Sequence, residues 1–546
     1  MKTYIYILLL LITAVDIANA QWTNDPNNPT IVCNATGSQV SVKAINDGNG
    51  GYYVFWLDKR AGPTKSHLYG QHYTGSGSTT WTVNGKELWA DSLRKVIDFS
   101  VIKNVEGNLY FGIVTTTASS GDTILVFKTD SLATPLWQQP VLVAGRSGII
   151  LWSNNVQLIE KDSGVFVGYY LTASGNNPKL YINRIDKTGN LLWGFQGLGV
   201  PNSGFGGFGM IPDYAGGLLL HWRNSNGLGT GLGVRRITEN GTFPWAANVN
   251  PAAGTSGLGY DYRAISDDNA GIILTWVEAG GNIMMSRVDS TGALSWSPGI
   301  VNVCYDSYSQ NNCRIMKNGN YIYVAWLDNR PPNAGNKTYI QQFDMNGNPL
   351  WTINGVRCSS INGSGSYTRM VPGDSSSVLF TFDSNVSGNG YYVQKINPDS
   401  LPAWAAPGIK LSNITFAPDG DDYALLSTSD SGAISFWSGG GNIYTSIVGT
   451  NGIITDLNES SNQKLSITVS PNPATNSIYL RWNNTIEENF SVSIFDVSGR
   501  LMLESKIPSS EKKEVQITTA DLKSGFYSIV IQSKNERSDI KLVIAH

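Results

Sequence analysis

The stretch YIYVAWLDNRPPNAGNKTYIQQFDMNGNPLWTINGVRC, residues 321–358, decides the fold class. It contains two alternating apolar segments separated by a polar loop, then an Asn-Gly-like turn and a tryptophan. Alternation with a period of two residues indicates half-buried β-strands. The same order recurs in YYVFWLDKR and HLYGQHYTGSGSTTWTVNGKEL, within residues 52–88. A unit of roughly 50–60 residues is typical of solenoids and propellers.

Weaker copies of this unit are spread along the chain, and a tryptophan marks each one. Successive markers lie between 51 and 59 residues apart. They are Trp22, Trp81, Trp137, Trp193, Trp245, Trp296, Trp351 and Trp404. Between the markers, strand pairs joined by Gly and Asp turns repeat in the same order, which predicts a regular all-β architecture.

The two ends of the repeat region complement each other. Trp22 has no strand pair before it, whereas the last pair, GAISFW and NIYTSIV from Gly432, has no tryptophan segment after it. Joining them would complete one blade from both chain ends and close a ring without exposed edges. We therefore predict an all-β protein with an eight-bladed β-propeller. Seven blades are the alternative if the weak copy around Leu109 is incomplete, and an open solenoid would leave the complementary ends unexplained.

The first 20 residues have the three parts of a secretory signal peptide. Lys2 precedes an apolar run over residues 4–15, and Ala18-Asn19-Ala20 forms a small-x-small exit. The run is about a dozen residues long, whereas a membrane-spanning helix needs about 20. We expect cleavage after Ala20, with an uncleaved membrane anchor as the alternative. No later segment has the apolar length of a transmembrane helix.

The chain divides by composition into four segments. They are the signal peptide (1–20), the propeller repeats (21–454), a polar linker TDLNESSNQK (455–464) and a final domain (465–546). The final domain holds seven short alternating segments with turn signals between them. This pattern predicts a small immunoglobulin-like β-sandwich.

Four motifs in the final domain carry a resemblance to a known family. SPNPATNSIYL, VSIFDVSGRLM, DLKSGFYSIVI and a terminal KLVIAH occur in this order. They resemble the type A C-terminal sorting domain of the type IX secretion system. The matching positions are Pro471, Asn472, Pro473, Asp496, Gly499, Arg500, Gly525, Tyr527, Lys541 and Val543. The repeat region likewise resembles the propellers of large secreted bacterial proteins.

This resemblance implies where the protein is delivered. Such domains engage the type IX secretion machinery of Bacteroidota, which carries periplasmic cargo across the outer membrane. The cargo is then released or linked to surface lipopolysaccharide, so a secreted or cell-surface location is expected. A small immunoglobulin-like domain that binds ligands or spaces the propeller is the alternative.

Composition excludes some functions and leaves one disulfide to consider. The formal net charge is −3, which argues against nucleic-acid binding because that function needs a basic face. Cys304 and Cys313 are close enough in sequence to close a short loop in an oxidising compartment. Cys33 and Cys358 are expected to be small buried apolar residues.

No catalytic constellation emerges from the motifs. The four histidines lack zinc-ligand spacing, and neither a nucleophile elbow nor a phosphate-binding loop is present. No cofactor is expected, although Asp419, Asp421 and Asp422 could supply oxygen ligands to calcium. The repeated Trp-x-Asp-x-Arg runs at Trp56 and Trp326 could bind a polar ligand. The favoured interpretation is a capped turn, in which the aspartate accepts hydrogen bonds from backbone amides and pairs with the arginine.

We therefore expect the propeller to act as a binding or adhesion module for a glycan, a polymer or a protein. The alternative is a polysaccharide-degrading enzyme with its active site in the propeller channel, as carboxylates around such a channel can cleave glycosidic bonds. A structural spacer is the third interpretation. A shared fold does not choose among these functions.

Overall fold

The computed structural model divides the chain into two compact units, Met1–Asp456 and Leu457–His546. The predicted cleavage site at Ala18 and Ala20 and the predicted linker lie outside the described residues. No helix in the described part of the chain is both long enough and apolar enough to cross a membrane. The structure describes residues 22, 25–117, 122–145, 156–162, 164–172, 178–204, 206–224, 231–255, 257–331, 336–358, 369–384, 390–413, 423–452, 467–482, 490–496, 501–507, 514–532 and 537–545.

Among the described residues of the first unit, all regular secondary structure is β-strand except for one 3-10 turn at Asp374–Ser376. The strands in chain order are β1 Thr30–Cys33, β2 Gln39–Asn46, β3 Tyr52–Asp58, β4 His67–Tyr73, β5 Lys86–Trp89, β6 Lys95–Lys103, β7 Leu109–Thr116, β8 Thr123–Thr129, β9 Val141–Gly145, β10 Gln157–Lys161, β11 Gly164–Leu171, β12 Lys179–Ile185, β13 Leu198–Gly199, β14 Phe208–Pro212, β15 Leu218–Asn224, β16 Gly231–Ile237, β17 Leu258–Ser266, β18 Ile272–Glu278, β19 Ile283–Val288, β20 Ile300–Cys304, β21 Gln310–Asn318, β22 Tyr321–Asp328, β23 Lys337–Asp344, β24 Val356–Arg357, β25 Arg369–Pro372, β26 Val378–Ser384, β27 Gly390–Ile396, β28 Ile409–Ser412, β29 Tyr423–Ser427, β30 Ala433–Gly439 and β31 Asn442–Val448.

These strands form eight small antiparallel sheets in the described part of the unit. Seven have four strands, and the sheet β14-β15-β16 has three, with a bridge between Val234 and Val249 beside its last strand. Each sheet is called a blade below, numbered 1 to 8 from the one that contains β2. The copy around Leu109 is a full four-stranded blade, β6 to β9. The all-β propeller fold is thus as predicted.

The inner strands form a closed ring. The first strand of each blade packs against the first strand of the next, in the order β2, β6, β10, β14, β17, β21, β25 and β29. Strand β29 in turn contacts β2, which completes the circle. These eight strands therefore surround a central channel, and the other strands of each blade extend outward from it.

The two ends of the repeat region meet in blade 8. Strand β1 pairs antiparallel with β31, with Thr30 opposite Thr445, and forms the outer edge of a sheet whose other strands end the repeat region. Trp22 is fully buried, and its ring centroid lies 5.0 Å from that of Tyr73 in blade 1. The predicted joining of the N-terminal segment to the last strand pair is confirmed.

Aspartates cap the turn that follows the first strand of several blades. In blade 5, Oδ1 of Asp267 accepts hydrogen bonds from the amides of Asn269 and Gly271, each at 2.7 Å. Its Oδ2 pairs with Arg287 of β19 at 2.8 Å. Asp213 repeats this arrangement in blade 4 with Arg236, and Asp47 caps the same turn in blade 1 with His72 in place of the arginine. Asp267 therefore stabilises the turn between the first two strands of its blade, as expected for the Asp and Gly turns of the repeat.

The marker tryptophans connect neighbouring blades. The indole N–H of each of four markers donates to a backbone carbonyl in the turn after the third strand of the following blade. These pairs are Trp137 with Lys187 at 3.1 Å, Trp245 with Ser290 at 3.2 Å, Trp296 with Met345 at 3.1 Å and Trp351 with Pro398 at 2.8 Å. At these four positions the tryptophan therefore joins its own blade to the next one.

The Trp-x-Asp-x-Arg runs are also structural. Oδ1 of Asp58 accepts from the backbone amide of Arg60 at 2.8 Å, and the guanidinium forms an ion pair with Oδ2 at 2.7 Å. Nη2 of Arg60 also lies 3.4 Å from the sulfur of Cys33 on β1. The capped-turn interpretation is confirmed, and the turn further joins blade 1 to blade 8.

The predicted disulfide between Cys304 and Cys313 is absent, because both thiols are free. Cys304 ends the outer strand β20 of blade 5, where its sulfur lies 3.3 Å from Nη2 of Arg330, the counterpart of the Arg60 contact. Cys313 lies on the inner strand β21, with its sulfur 3.9 Å from the carbonyl oxygen of Thr275. Burial raises the pKa of both thiols, to about 11 for Cys304 and about 12 for Cys313. Neutral buried thiols are poor nucleophiles for disulfide formation.

The described residues of the second unit form seven strands in two antiparallel sheets, β32-β33-β36 and β35-β34-β37-β38. Both sheets contribute to one apolar core, with Leu480 and Ile517 from the first and Ile494 and Ile529 from the second. Two sheets that share a core define a small sandwich. The strands are β32 Ile467–Ser470, β33 Ser477–Trp482, β34 Phe490–Asp496, β35 Leu501–Ile507, β36 Glu514–Thr518, β37 Gly525–Gln532 and β38 Arg537–Ile544.

Ring closure predicts a strong dependence of stability on the N-terminal segment that carries Trp22 and β1. Trp22→Ala should lower the free energy of unfolding of the propeller by about 3–5 kcal/mol, because it empties a fully buried site between blades 8 and 1. Deleting residues 21–33 should destabilise it further by leaving β31 unpaired. Thermal and denaturant unfolding would measure both effects, with Val83→Ala at an 84% exposed position as the control. An unchanged melting temperature in the deletion variant would contradict closure.

Candidate binding site in the central channel

Two cavities lie in the central channel. One has a volume of about 610 Å³ and is lined mainly by β10, β14, β17, β21 and β25. The other has a volume of about 470 Å³ and is lined by β2, β6, β10, β25 and β29. Gln157 and Arg369 line both cavities. The two cavities together therefore draw on all eight inner strands.

One register position recurs on every inner strand and lines these cavities. In each blade, this residue is paired with a residue of the second strand. The next residue along that second strand carries the large apolar side chain at the strand's centre. From blade 1 to blade 8 it is occupied by Lys43, Ser100, Gln157, Gly209, Arg263, Arg314, Arg369 and Ala424. The cations are concentrated on one side, with three arginines on the consecutive blades 5, 6 and 7.

Acidic side chains lie close to this cationic side. Arg263 pairs with Asp261 at 3.2 Å, and Arg314 is 3.9 Å from the same carboxylate oxygen. The guanidinium of Arg369 lies 4.7 Å from the ring centroid of Tyr423. Asp383 also belongs to this region, because its charge helps to raise the pKa of Tyr423, although burial is the larger cause.

The electrostatic potential that the neighbouring charges create at Arg314 is nevertheless positive. Burial, together with repulsion from Arg263 and Arg369, lowers the pKa of Arg314 to about 10. The opposing attraction of Asp261 is smaller than either repulsion. Across the channel, Lys43 is compensated by Asp98 at 3.3 Å. An excess of positive charge is therefore localised at the three arginines.

A buried His–Tyr pair borders the larger cavity. The hydroxyl of Tyr262 donates to the carbonyl of Gly207 at 3.1 Å. Nδ1 of His221 is 3.2 Å from the same hydroxyl and therefore donates to its oxygen. A side chain at Gly209 would place Cβ 2.2 Å from the imidazole, so glycine is required here. Burial lowers the pKa of His221 from 6.5 to about 3, which keeps the imidazole neutral.

Part of the sorting motif is assembled around the C-terminal strand. Pro471, Asn472 and Pro473 form the turn between β32 and β33. Oδ1 of Asn472 accepts a hydrogen bond from the amide of Val543 at 2.9 Å, and the amide of Ala474 donates to the carbonyl of Val543 at 2.8 Å. The first and last sequence motifs are thus adjacent in the fold.

The other motif residues lie on neighbouring strands. Asp496 at the end of β34 is in register with Tyr527 of β37, whose hydroxyl donates to the carbonyl of Lys523 at 2.8 Å. Gly525 begins β37, and Lys541 lies in β38. Gly499, Arg500 and the candidate calcium ligands Asp419, Asp421 and Asp422 lie outside the described residues.

The sequence motifs did not reveal the channel arginines. Arg263, Arg314 and Arg369 occur in the unlike segments GYDYRAIS, NNCRIMKN and RMVP. The repeat is most visible in the second and third strands, which pack inside the blades. Aligning the first strands on the Asp and Gly turns that follow them would have placed these arginines at one position.

The two units define the class of protein: an all-β propeller followed by a small β-sandwich. Residues 468–545 match the family of secretion system C-terminal sorting domains. The protein is therefore exported cargo of the type IX secretion system, destined for the cell surface or the extracellular space. The full chain matches no curated protein.

Solved structures with similar folds cover much of the chain at low identity. An ulvan lyase from a family of polysaccharide lyases is 11% identical, with 80% of this chain and 96% of the lyase covered, at a TM-score of 0.40. An α-L-arabinofuranosidase of Fusarium graminearum is 11% identical, with 66% of this chain and 94% of the enzyme covered, at a TM-score of 0.31. A protein of unknown function from Dyadobacter fermentans is 13% identical, with 57% of this chain and 96% of that protein covered, at a TM-score of 0.32.

The neutral, buried state of His221 predicts an acid-sensitive fold. Below pH 6.5 the unfolded chain binds a proton at this histidine, whereas the folded chain does not until the pH approaches about 3. Stability should therefore fall as the pH falls through this window, by up to about 1.4 kcal/mol per pH unit from this residue. His221→Gln should flatten that part of the profile. Denaturant unfolding from pH 7 to pH 4 would measure the slope, and an identical slope in both proteins would contradict the assignment.

Proposed function

We propose that the propeller of this exported protein binds a glycan or another polymer in its central channel. The two cavities that together draw on all eight inner strands support this proposal. A volume of about 610 Å³ falls within the range of roughly 300–1,000 Å³ that is usual for ligand sites. A spacer would need no such cavity, and the polar side chains of Gln157, Arg263 and Arg314 provide directional contacts for a hydroxyl-rich ligand.

The geometry favours binding over hydrolysis. Glycoside hydrolysis uses two carboxyl groups that exchange protons with the substrate. Asp98 is occupied by Lys43 and by the amide of Val156 at 3.2 Å, and Asp261 is occupied by Arg263. A general base works best with a pKa near the operating pH, whereas that of His221 is about 3.

A channel-filling substitution tests the proposed binding site. Ala424→Trp should fill part of the 470 Å³ cavity and abolish binding of a glycan that the mature protein retains on a glycan array. Val83→Trp adds the same side chain at an 84% exposed position and should bind as the unmodified protein does. Equal binding by the Ala424→Trp variant, with the fold intact by circular dichroism, would place the site elsewhere. Cleavage of a bound glycan would favour the enzymatic alternative.

Removal of the sorting domain tests the route of export. Deleting residues 464–546 should leave the protein in the periplasm, because the signal peptide would still direct it across the inner membrane. Fusing residues 464–546 to a periplasmic reporter should carry that reporter to the surface or the medium. Fractionation followed by immunoblotting would measure both. Surface appearance of the truncated protein would contradict the sorting role, and a ladder of higher masses would indicate linkage to lipopolysaccharide.

A further inference from the structure

Three arginines at one register position distinguish one side of the channel from the other. We infer that the channel ligand is an acidic polymer and that Arg263, Arg314 and Arg369 bind its carboxylate or sulfate groups. This inference rests on the proposed function, since it specifies the chemical class of the polymer that the channel binds.

The arrangement of the ring supports this assignment. Arg263, Arg314 and Arg369 occur on adjacent inner strands, and all three line the 610 Å³ cavity. Of the other equivalent positions, Ser100, Gln157, Gly209 and Ala424 are uncharged, and Lys43 is paired with Asp98 at 3.3 Å. The channel therefore has a cationic wall, and the rest of its lining at this position is either uncharged or, at Lys43, neutralised by a carboxylate.

The nearby acids leave this wall positively charged. Asp261 lies beside Arg263 and Arg314, and Asp383 lies near Tyr423. At Arg314 the repulsion from the flanking arginines exceeds the attraction of Asp261. A bound anion would relieve this repulsion at a buried site, where charge interactions are stronger than in water.

The chemistry of guanidinium matches an oxyanion. A planar guanidinium donates parallel hydrogen bonds to two oxygens of a carboxylate or a sulfate, which fixes orientation as well as charge. The chain as a whole carries a formal net charge of −3 and so has no general attraction for polyanions. Recognition of acidic groups would therefore be local to the channel rather than a property of the outer surface.

The experiment compares acidic oligosaccharides with their neutralised forms. Tetrasaccharides of galacturonate and of glucuronate are titrated beside their carboxyl-reduced counterparts, and a sulfated galactose tetrasaccharide beside its desulfated counterpart. Isothermal titration calorimetry with the full mature protein measures each affinity. An acidic form should bind at least about tenfold more tightly than its neutral counterpart, as expected for charge-assisted hydrogen bonds. Added salt should weaken only the binding of the acidic form.

Arg263→Gln is the first variant, because the Arg263 side chain is 41% exposed and its loss leaves the core intact. It should weaken binding of the acidic form about tenfold or more without changing the affinity for the neutral form. Arg357→Gln, on the outer strand β24 of blade 6, is the matched control and should bind as the unmodified protein does. Arg314→Lys keeps the charge but loses the planar donor pair, and should also weaken acidic binding.

The outcomes separate this inference from the proposed function. Equal binding of acidic and neutral forms, or binding of neutral glycans alone, would overturn the inference and leave channel binding in place. An unchanged affinity of Arg263→Gln for the acidic form would also overturn it. Absence of binding by every oligosaccharide and every glycan on the array would overturn both. A preference for carboxylated over sulfated probes, or the reverse, would identify which acidic group the arginines recognise.

Discussion

The pairing of β1 with β31 is the constraint on which the rest of the propeller depends. A blade needs its outer strand, and a ring needs every blade to contact two neighbours. Blade 8 obtains its outer strand from the opposite end of the repeat region. Trp22 then fills a site against Tyr73 of blade 1, and Arg60 of blade 1 reaches Cys33 on β1. Closure therefore rests on the backbone ladder, an aromatic contact and a polar contact at one junction.

The closed ring turns a sequence repeat into a set of equivalent positions around one axis. Contacts that maintain the blades repeat closely, as the tryptophan hydrogen bonds and the aspartate-capped turns do. The position that lines the channel varies from glycine to arginine instead. The change from Gly209 to Arg314 at this position alters the lining of the channel, whereas the strand pairing of the blades is retained. Architecture and recognition are thus carried by different strands of the same repeat.

The sequence predicted the architecture well because the repeat makes the same structural demand many times. Trp22 without a preceding strand pair, together with a last pair that lacked its tryptophan segment, was enough to indicate closure. The predicted Cys304–Cys313 bridge was wrong because nearness along the chain does not place two side chains together. One thiol lies at the outer edge of blade 5 and the other on an inner strand of blade 6. The channel arginines were missed because first strands share little sequence.

The free thiols show how the same repeat handles polar groups in the interior. Arg330 reaches from its own blade to the sulfur of Cys304 in the preceding blade, as Arg60 does to Cys33. In each case the guanidinium also stacks on an aromatic ring, at 4.1 Å from the Tyr339 centroid in blade 6. Each of these arginines contacts an aspartate, a sulfur and an aromatic ring, whereas the three channel arginines lie on adjacent strands and repel one another at Arg314. The contrast separates arginines that join neighbouring blades from the arginines that we propose to bind a ligand.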